Sequence, residues 1–159
     1  LGGRFHHCGR VVWLGLRPGR REAMTAVQVA EALGDRGLAG DRAAERIGGR
    51  RQVTLVQAEH LEVMAALLGA PGVHPQQLRR NLVVSGINLL TLKDRHFTIG
   101  DAVLHGTGPC HPCSRMEENL GFGGYAAMRG HGGITARIVT GGLLRVGDAV
   151  SPLPRILEY

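Results

Sequence analysis

The chain has 159 residues, 43% of them apolar, which suits one domain with an ordinary core and excludes a disordered chain. Its formal charge of +6 rests on 18 arginines and a single lysine, Lys93. Arginine forks suit phosphates and carboxylates, and Schiff-base chemistry has only Lys93 to use.

No apolar run approaches the roughly 18 residues of a membrane span. Aromatics are only 4% and the arginines are scattered, so neither a membrane nor a nucleic acid is an expected partner. The chain opens on Leu1, so its start is expected to be truncated or processed, and positions 1–9 to be disordered. "LGGRFHHCGRVVWLGLRPGRR" shows no charged-then-apolar leader, which leaves the cytoplasm as the default location.

In chain order, "RVVWLGL" (Arg10 to Leu16) reads as a strand. "AVQVAEALGDRGLAGD" reads as a short amphipathic piece and then a glycine-rich loop. "RQVTLV" (Arg51 to Val56) alternates as a strand does. "QAEHLEVMAALLG" places Leu61, Met64, Ala65 and Leu68 at helical spacing, with Gly69 as the stop. Pro75 suits the first position of a short helix that leads into the strand "NLVV".

"HFTIGDAVLHGTG" predicts two strands around a Gly-Asp turn, and "SRMEENLG" and "YAAMRG" predict short helices. In "GITARIVTGGLLRVGDAVSPL", Ile134, Ala136 and Ile138 alternate with polar residues, and Gly141-Gly142 predicts a hairpin turn. "TIGDAVL" and "RVGDAVS" form a weak echo, each a strand, a Gly-Asp turn and a strand. With 25 glycines punctuating short apolar runs, the fold class is mainly β, a barrel or sandwich. No linker or composition break appears, so residues 1–159 form a single domain.

Chemistry concentrates in "GTGPCHPCSRMEENLG", which holds Cys110 and Cys113. Three cysteines are too few for a disulfide framework, and the odd count suggests reduced thiols. Spacing alone leaves four readings open. The pair could be a redox dithiol, half of a zinc site completed by His6, His7 and Cys8, two packed thiols, or one thiolate offered to a soft metal held by a cofactor.

Arginines flank other loops: Arg79 and Arg80 before Asn81, Arg42 after Asp41, Arg50 and Arg51, and Arg115 beside Cys113. Each alone reads as a solvated surface group; convergence on one pocket would change that. His131, between glycines in "RGHGGITAR", reads either as a ligand-side residue or as part of a corner at a barrel rim. Glu117 and Glu118 read as a solvated helix face. No dinucleotide fingerprint, Walker loop, zinc-protease motif or nucleophile elbow is present.

Taken in order, "GLAGDR", "RQVTLVQAEHL", "LRRNLVVSGINL", "FTIGDAVL", "GPCHPC" and "GHGGITARIVTGGLLRVGDAV" resemble the MOSC domain, named after the C-terminal part of molybdenum cofactor sulfurase. The form resembled is the short, stand-alone bacterial type. The resemblance implies a closed, mainly β barrel of the pyruvate-kinase type with a few short peripheral helices. It implies a molybdenum cofactor, molybdopterin, and a single cysteine as direct metal ligand, which maps to Cys113. Arg79 and Asn81 map to positions near the cofactor, while Cys110 is expected to pack. Arg115, Asp41, Arg42 and His131 are the further candidate cofactor contacts. Arg115 and a helix N-terminus would favour the ligating thiolate.

The implied activity is reduction of small N-hydroxylated or related N–O substrates, fed by a separate electron donor. One alternative is a sulfur carrier that holds persulfide sulfur on Cys113 and receives it from a cysteine desulfurase. Another is a non-enzymatic module that binds an anion or a pterin. Pyridoxal phosphate, which travels with MOSC in the full sulfurases, is not expected, since Lys93 lies in the polar "LKDRH". The 159 residues hold no counterpart of the sulfurases' desulfurase domain or of the amidoxime reductases' extra N-terminal β domain. A second subunit is the expected source of any missing enclosure.

Overall fold

The computed structural model describes residues 1–154. The strands are β1 (Gly9–Leu16), β2 (Thr25–Ala26), β3 (Val29–Leu33), β4 (Gly37–Leu38), β5 (Val53–Gln57), β6 (Leu82–Ser85), β7 (His96–Ile99), β8 (Ala102–Pro109), β9 (Ile134–Thr140), β10 (Gly142–Arg145) and β11 (Ala149–Pro152). Four short helices join them: α1 (Ala58–Leu68), α2 (Pro75–Leu78), α3 (Ser114–Leu120) and α4 (Gly124–Met128). Among the described residues no helix is long and apolar enough to cross a membrane.

Seven strands close into a barrel in the order β1–β6–β5–β9–β8–β7–β11. β11 returns to β1 through Gly9↔Val150 and Arg10↔Ala149, so the ring has no open edge along this seam. Gly9, inside the stretch expected to be disordered, therefore already belongs to the sheet. Phe5 packs against the core as well.

Period-2 patterning puts Val53 and Leu55 of β5, Leu82 and Val84 of β6, and Ile134, Ala136 and Ile138 of β9 into one buried cluster with Phe97, Leu104 and Val150. The next residues along β5 and β6, Val56 and Val83, belong to a second cluster with Met64, Leu78, Met116 and Met128 of the helices. Both faces of β5 and β6 are thus covered, and Leu82-Val83-Val84 of β6 form an unbroken apolar run.

This arrangement explains the helices. β5 and β6 pair in parallel, Leu55↔Leu82, and a parallel pair needs a crossover, which α1 and α2 supply. Gly69, in the left-handed region at φ 62, ends α1 as expected. Pro75 opens α2, and the Gln77 side chain accepts from the His74 amide at 2.8 Å to cap it.

Two local expectations fail. The "amphipathic piece" is the hairpin β3–β4, in which Ala30 and Ala32 are buried between exposed Val29 and Glu31. Gly141-Gly142 does not turn β9 back on itself. Instead β10 leaves the barrel and pairs with β3, from Gly142↔Ala32 to Arg145↔Val29. The two glycines serve close approach: a Cβ on Gly141 would lie 2.7 Å from the Ala32 carbonyl oxygen, and one on Gly142 2.7 Å from that of Asp101. The echo separates for the same reason. Gly100-Asp101 joins the paired strands β7 and β8, whereas Gly147-Asp148 carries the chain from β10 back into the barrel.

Gly133 enters β9 at φ +84, where a Cβ would stand 1.8 Å from the Leu55 carbonyl oxygen. Gly133→Ala is expected to destabilise the fold by about 2 kcal/mol or more, measured by urea denaturation. Gly72→Ala, in open space without a positive φ, should stay within about 0.5 kcal/mol of the parent.

Candidate functional site

Because β1 runs antiparallel to β6, and β5 parallel to it, the end of β1 and the starts of β5 and β6 meet at one mouth of the barrel. A cleft of about 800 Å³ opens there. Eight arginines line it: Arg17, Arg42, Arg46, Arg50, Arg51, Arg79, Arg80 and Arg115. Cys113, Ser114, Leu78 and Met116 complete much of the wall, and Glu45 is its one carboxylate among the described residues.

Behind the wall lies a buried polar network. Asp41 Oδ1 accepts from the Arg17 amide at 2.7 Å and from Arg17 Nε at 3.2 Å, and Oδ2 accepts from Nη2 at 3.0 Å. Asp41 also caps the 3-10 turn Arg42–Glu45 by accepting from the Ala43 amide at 3.1 Å. Asn81 is fully buried and spends its whole amide. Its Nδ2 donates to Asp41 Oδ1 at 2.9 Å and to the Gly15 carbonyl at 3.0 Å, and its Oδ1 accepts from the Thr54 amide and hydroxyl at 3.1 Å each. Asp41 and Asn81 are therefore set behind the cleft wall, where they position Arg17 and the turn that carries Arg42.

Burial pulls the Asp41 carboxyl upward. The Arg17 hydrogen bonds and charge, helped by two backbone amides, outweigh it and hold the group below the usual carboxylate value.

Arg79 adopts the left-handed conformation, φ 55, which costs a non-glycine residue about 1–2 kcal/mol. Its guanidinium donates to the carbonyls of Gly19, at 3.1 Å, and Glu22. Burial, then the nearby charges of Arg17, Arg115 and Arg42, pushes its pKa down. Arg80 is 3% exposed and has no carboxylate partner among the described residues; it donates to the carbonyls of Gly132 (2.9 Å), Leu78 (3.1 Å) and Cys110 (3.4 Å). Those bonds tie the "CHPC" loop to "GHGG". A Cβ on Gly132 would meet the Cys110 carbonyl oxygen at 2.2 Å, and the Cys110 amide donates to the Gly133 carbonyl at 2.8 Å. Gly132 and Gly133, which follow His131, thus serve backbone-to-backbone packing.

The two cysteines of the pair differ. Cys110 is buried and packs; Cys113 is exposed on the cleft wall, at the N-cap of α3, with no side-chain capping bond. Arg115 follows on α3 and reaches the same cleft. His131 stands away from the lining. Its Nδ1 donates to the Ala127 carbonyl at 3.0 Å, and its ring meets His60 edge-on at 5.0 Å. Burial first, and then His131, lowers the His60 pKa. Among the described residues no three metal-ligating side chains come together, so His6, His7 and Cys8 do not join the pair.

Of the sequence candidates, the structure brings Cys113, Arg79, Arg115 and Arg42 into one cleft and sets Asp41, Asn81 and His131 outside it. Arg17 and Arg46 went unnoticed in the sequence. Arg17 directly follows a strand that ends at the mouth, but which strand ends share a mouth depends on pairing order. Glu117 was also underread: it accepts from the amides of Gly123 and Tyr125 at 2.9 Å each and so fastens α3 to α4.

A family model, the MOSC domain, matches residues 25–151. This chain belongs to the MOSC domain family. No curated protein sequence matches it. Among solved structures, the YuaD protein of Bacillus subtilis is similar with a TM-score of 0.76 at 20% identity, over 91% of this chain and 94% of that one. YiiM from Escherichia coli gives 0.71 at 17%, over 94% and 72%. YiiM from Geobacillus stearothermophilus gives 0.76 at 15%, over 92% and 76%. At such identities these neighbours establish that the MOSC chain shares their fold.

Within this MOSC domain the Arg17–Asp41 pair has a testable cost. Asp41→Asn should destabilise the protein by about 3–5 kcal/mol at neutral pH, because it leaves Arg17 buried without its counter-charge. The folded pKa of Asp41 is depressed, so its stabilisation is present above the unfolded value near 4 and is lost as pH falls through the folded value. Urea denaturation across acid pH should show the gap between parent and variant closing below about pH 4.

Proposed function

We propose that this MOSC domain binds a molybdenum cofactor through Cys113 and reduces small N-hydroxylated or related N–O substrates. The observation that carries this reading is an exposed thiol set in the wall of an arginine-lined cleft. A thiolate is a soft ligand fit for a metal bound by sulfur, and guanidinium forks fit a phosphate tail. The residues present therefore suit the group. When bound, it would supply two-electron redox chemistry at the metal.

The remaining work falls to the chain. Arg79 and Arg80 are held by main-chain carbonyls, so they present fixed positive charge at the Cys113 end of the cleft. Arg115 stands beside Cys113 to contact an anionic edge of the cofactor. Leu78 and Met116, buried behind that end, back it with apolar packing. Electrons come from a separate donor protein, and the setting is the cytoplasm.

A second reading, a sulfur carrier, draws on the same thiol, which has no hydrogen-bond partner among the described residues and is open to an incoming desulfurase persulfide. There, mass spectrometry after incubation with a cysteine desulfurase would find one added sulfur atom on Cys113.

Protein purified from a molybdate-replete host is expected to carry close to one molybdenum per chain by elemental analysis. Cys113→Ser is expected to reduce it to background, while Cys110→Ser, at the packed thiol, keeps most of it. Metal-free parent protein from a cofactor-sufficient host would sink the reading.

A further inference from the structure

The positive charge of the cleft exceeds what one phosphate tail needs. Eight guanidinium groups meet one lining carboxylate, Glu45, and a second carboxylate, Asp41, neutralises Arg17 from behind. Among the described residues six positive charges remain. A phosphate monoester brings about −1.5 to −2 at neutral pH, so a single one leaves most of them unbalanced.

The arginines also divide by what holds them. Arg17, Arg50, Arg79 and Arg80 donate to protein acceptors; Arg50 Nη2, for example, reaches the Thr107 carbonyl at 2.5 Å. The guanidiniums of Arg42, Arg46, Arg51 and Arg115 make no hydrogen bond or ion pair among the described residues. Arg115 belongs to the Cys113 end, on α3. The other three come from the loop between β4 and β5.

That loop is braced. Gln52, buried at its base, donates to Asp35 Oδ1 at 3.0 Å and to the Gly49 carbonyl at 3.2 Å, and accepts from the Ile138 amide at 2.9 Å. The Gly48 amide donates to the Asp35 carbonyl at 2.8 Å, and Arg36 Nη1 to the Ala44 carbonyl at 3.2 Å. Like charges are thus held together on an ordered loop, an arrangement that opposes folding unless an anion binds.

We propose that the cleft takes two separate phosphoryl groups. One lies at the Cys113 end, by Arg79, Arg80 and Arg115. The other lies on Arg42, Arg46 and Arg51 and belongs to a phosphate ester, for which a nucleoside monophosphate serves as the probe. Assigning the first to the molybdenum cofactor's tail rests on the function proposed above; the second stands on the free arginines. Its phosphate belongs either to a phosphorylated substrate or to a nucleotide extension of the cofactor, and the experiment separates the two.

Titration calorimetry of metal-free protein with adenosine 5′-monophosphate, against adenosine, should show binding that needs the phosphate. The Arg46→Gln/Arg51→Gln double variant should weaken it at least tenfold. Arg20→Gln/Arg145→Gln, outside the cleft, should leave it unchanged, and thermal denaturation of both variants verifies folding. Repeating the titration on molybdenum-loaded protein finds the source. Retained binding of one nucleotide per chain assigns the phosphate to the substrate. Lost binding, with a nucleotide released on acid hydrolysis, assigns it to the cofactor. Molybdenum content tests the earlier proposal and nucleotide binding to metal-free protein tests this one, so either can fail alone. Equal binding of adenosine and its monophosphate, or an Arg46→Gln/Arg51→Gln affinity equal to the parent's, overturns the second subsite.

Discussion

The Asp41 carboxylate is the acceptor around which the barrel mouth assembles. It takes Arg17 through both oxygens, the Asn81 amide and the cap of the Arg42–Glu45 turn. Asn81, at the start of β6, extends the network to Gly15 of β1 and Thr54 of β5. Three strands and one loop therefore share a single buried anion. Burying it unpaired would be costly, so its partners specify one register. The same pairing removes Arg17 from the free charge of the cleft while keeping its side chain in the wall.

The remaining arginines show how a protein holds a positive surface without acidic partners. Arg80 is buried against three carbonyl oxygens, whose dipoles replace water but carry no net charge. Arg79 sits in a left-handed turn that its own bonds to Gly19 and Glu22 secure. Both residues serve structure and site together. Arg80 ties the cysteine loop to the glycines before β9, and this places Cys113 at the cleft while Cys110 stays inside. A helix cap, a charge and a loop tether converge on one thiol.

Much was legible in the sequence because it is encoded locally. The 3-4 spacing and Gly69 delimit α1, Pro75 marks α2, and the alternation around Gly100-Asp101 marks the β7–β8 hairpin. The ordered motifs pointed to the family, and the inequality of Cys110 and Cys113 followed from them. The misreadings occurred where distant chain decides. The alternation in Val29–Leu33 is a strand's only because β10 and β4 flank it, and Gly141-Gly142 is a crossing because Ala32 and Asp101 press on it. Distant chain also sets the place of two candidate cofactor contacts: Asp41 and Asn81 stand behind the cleft wall, with their polar atoms spent on β1, β5 and Arg17.

The sequence by itself determined the fold class, most elements, the family and the candidate thiol, since periodicity, turn chemistry and motif order act over a few neighbouring residues. Tertiary structure alone decided which arginines meet. Arg17, Arg46, Arg79 and Arg115 are far apart in the chain, and they face one cleft only because closure of β11 on β1 and the parallel β5–β6 pair bring their strand ends and loops to one mouth. One loop carries half of that field of like charges, and the closed ring of backbone hydrogen bonds brings the other half to it and holds them together against repulsion.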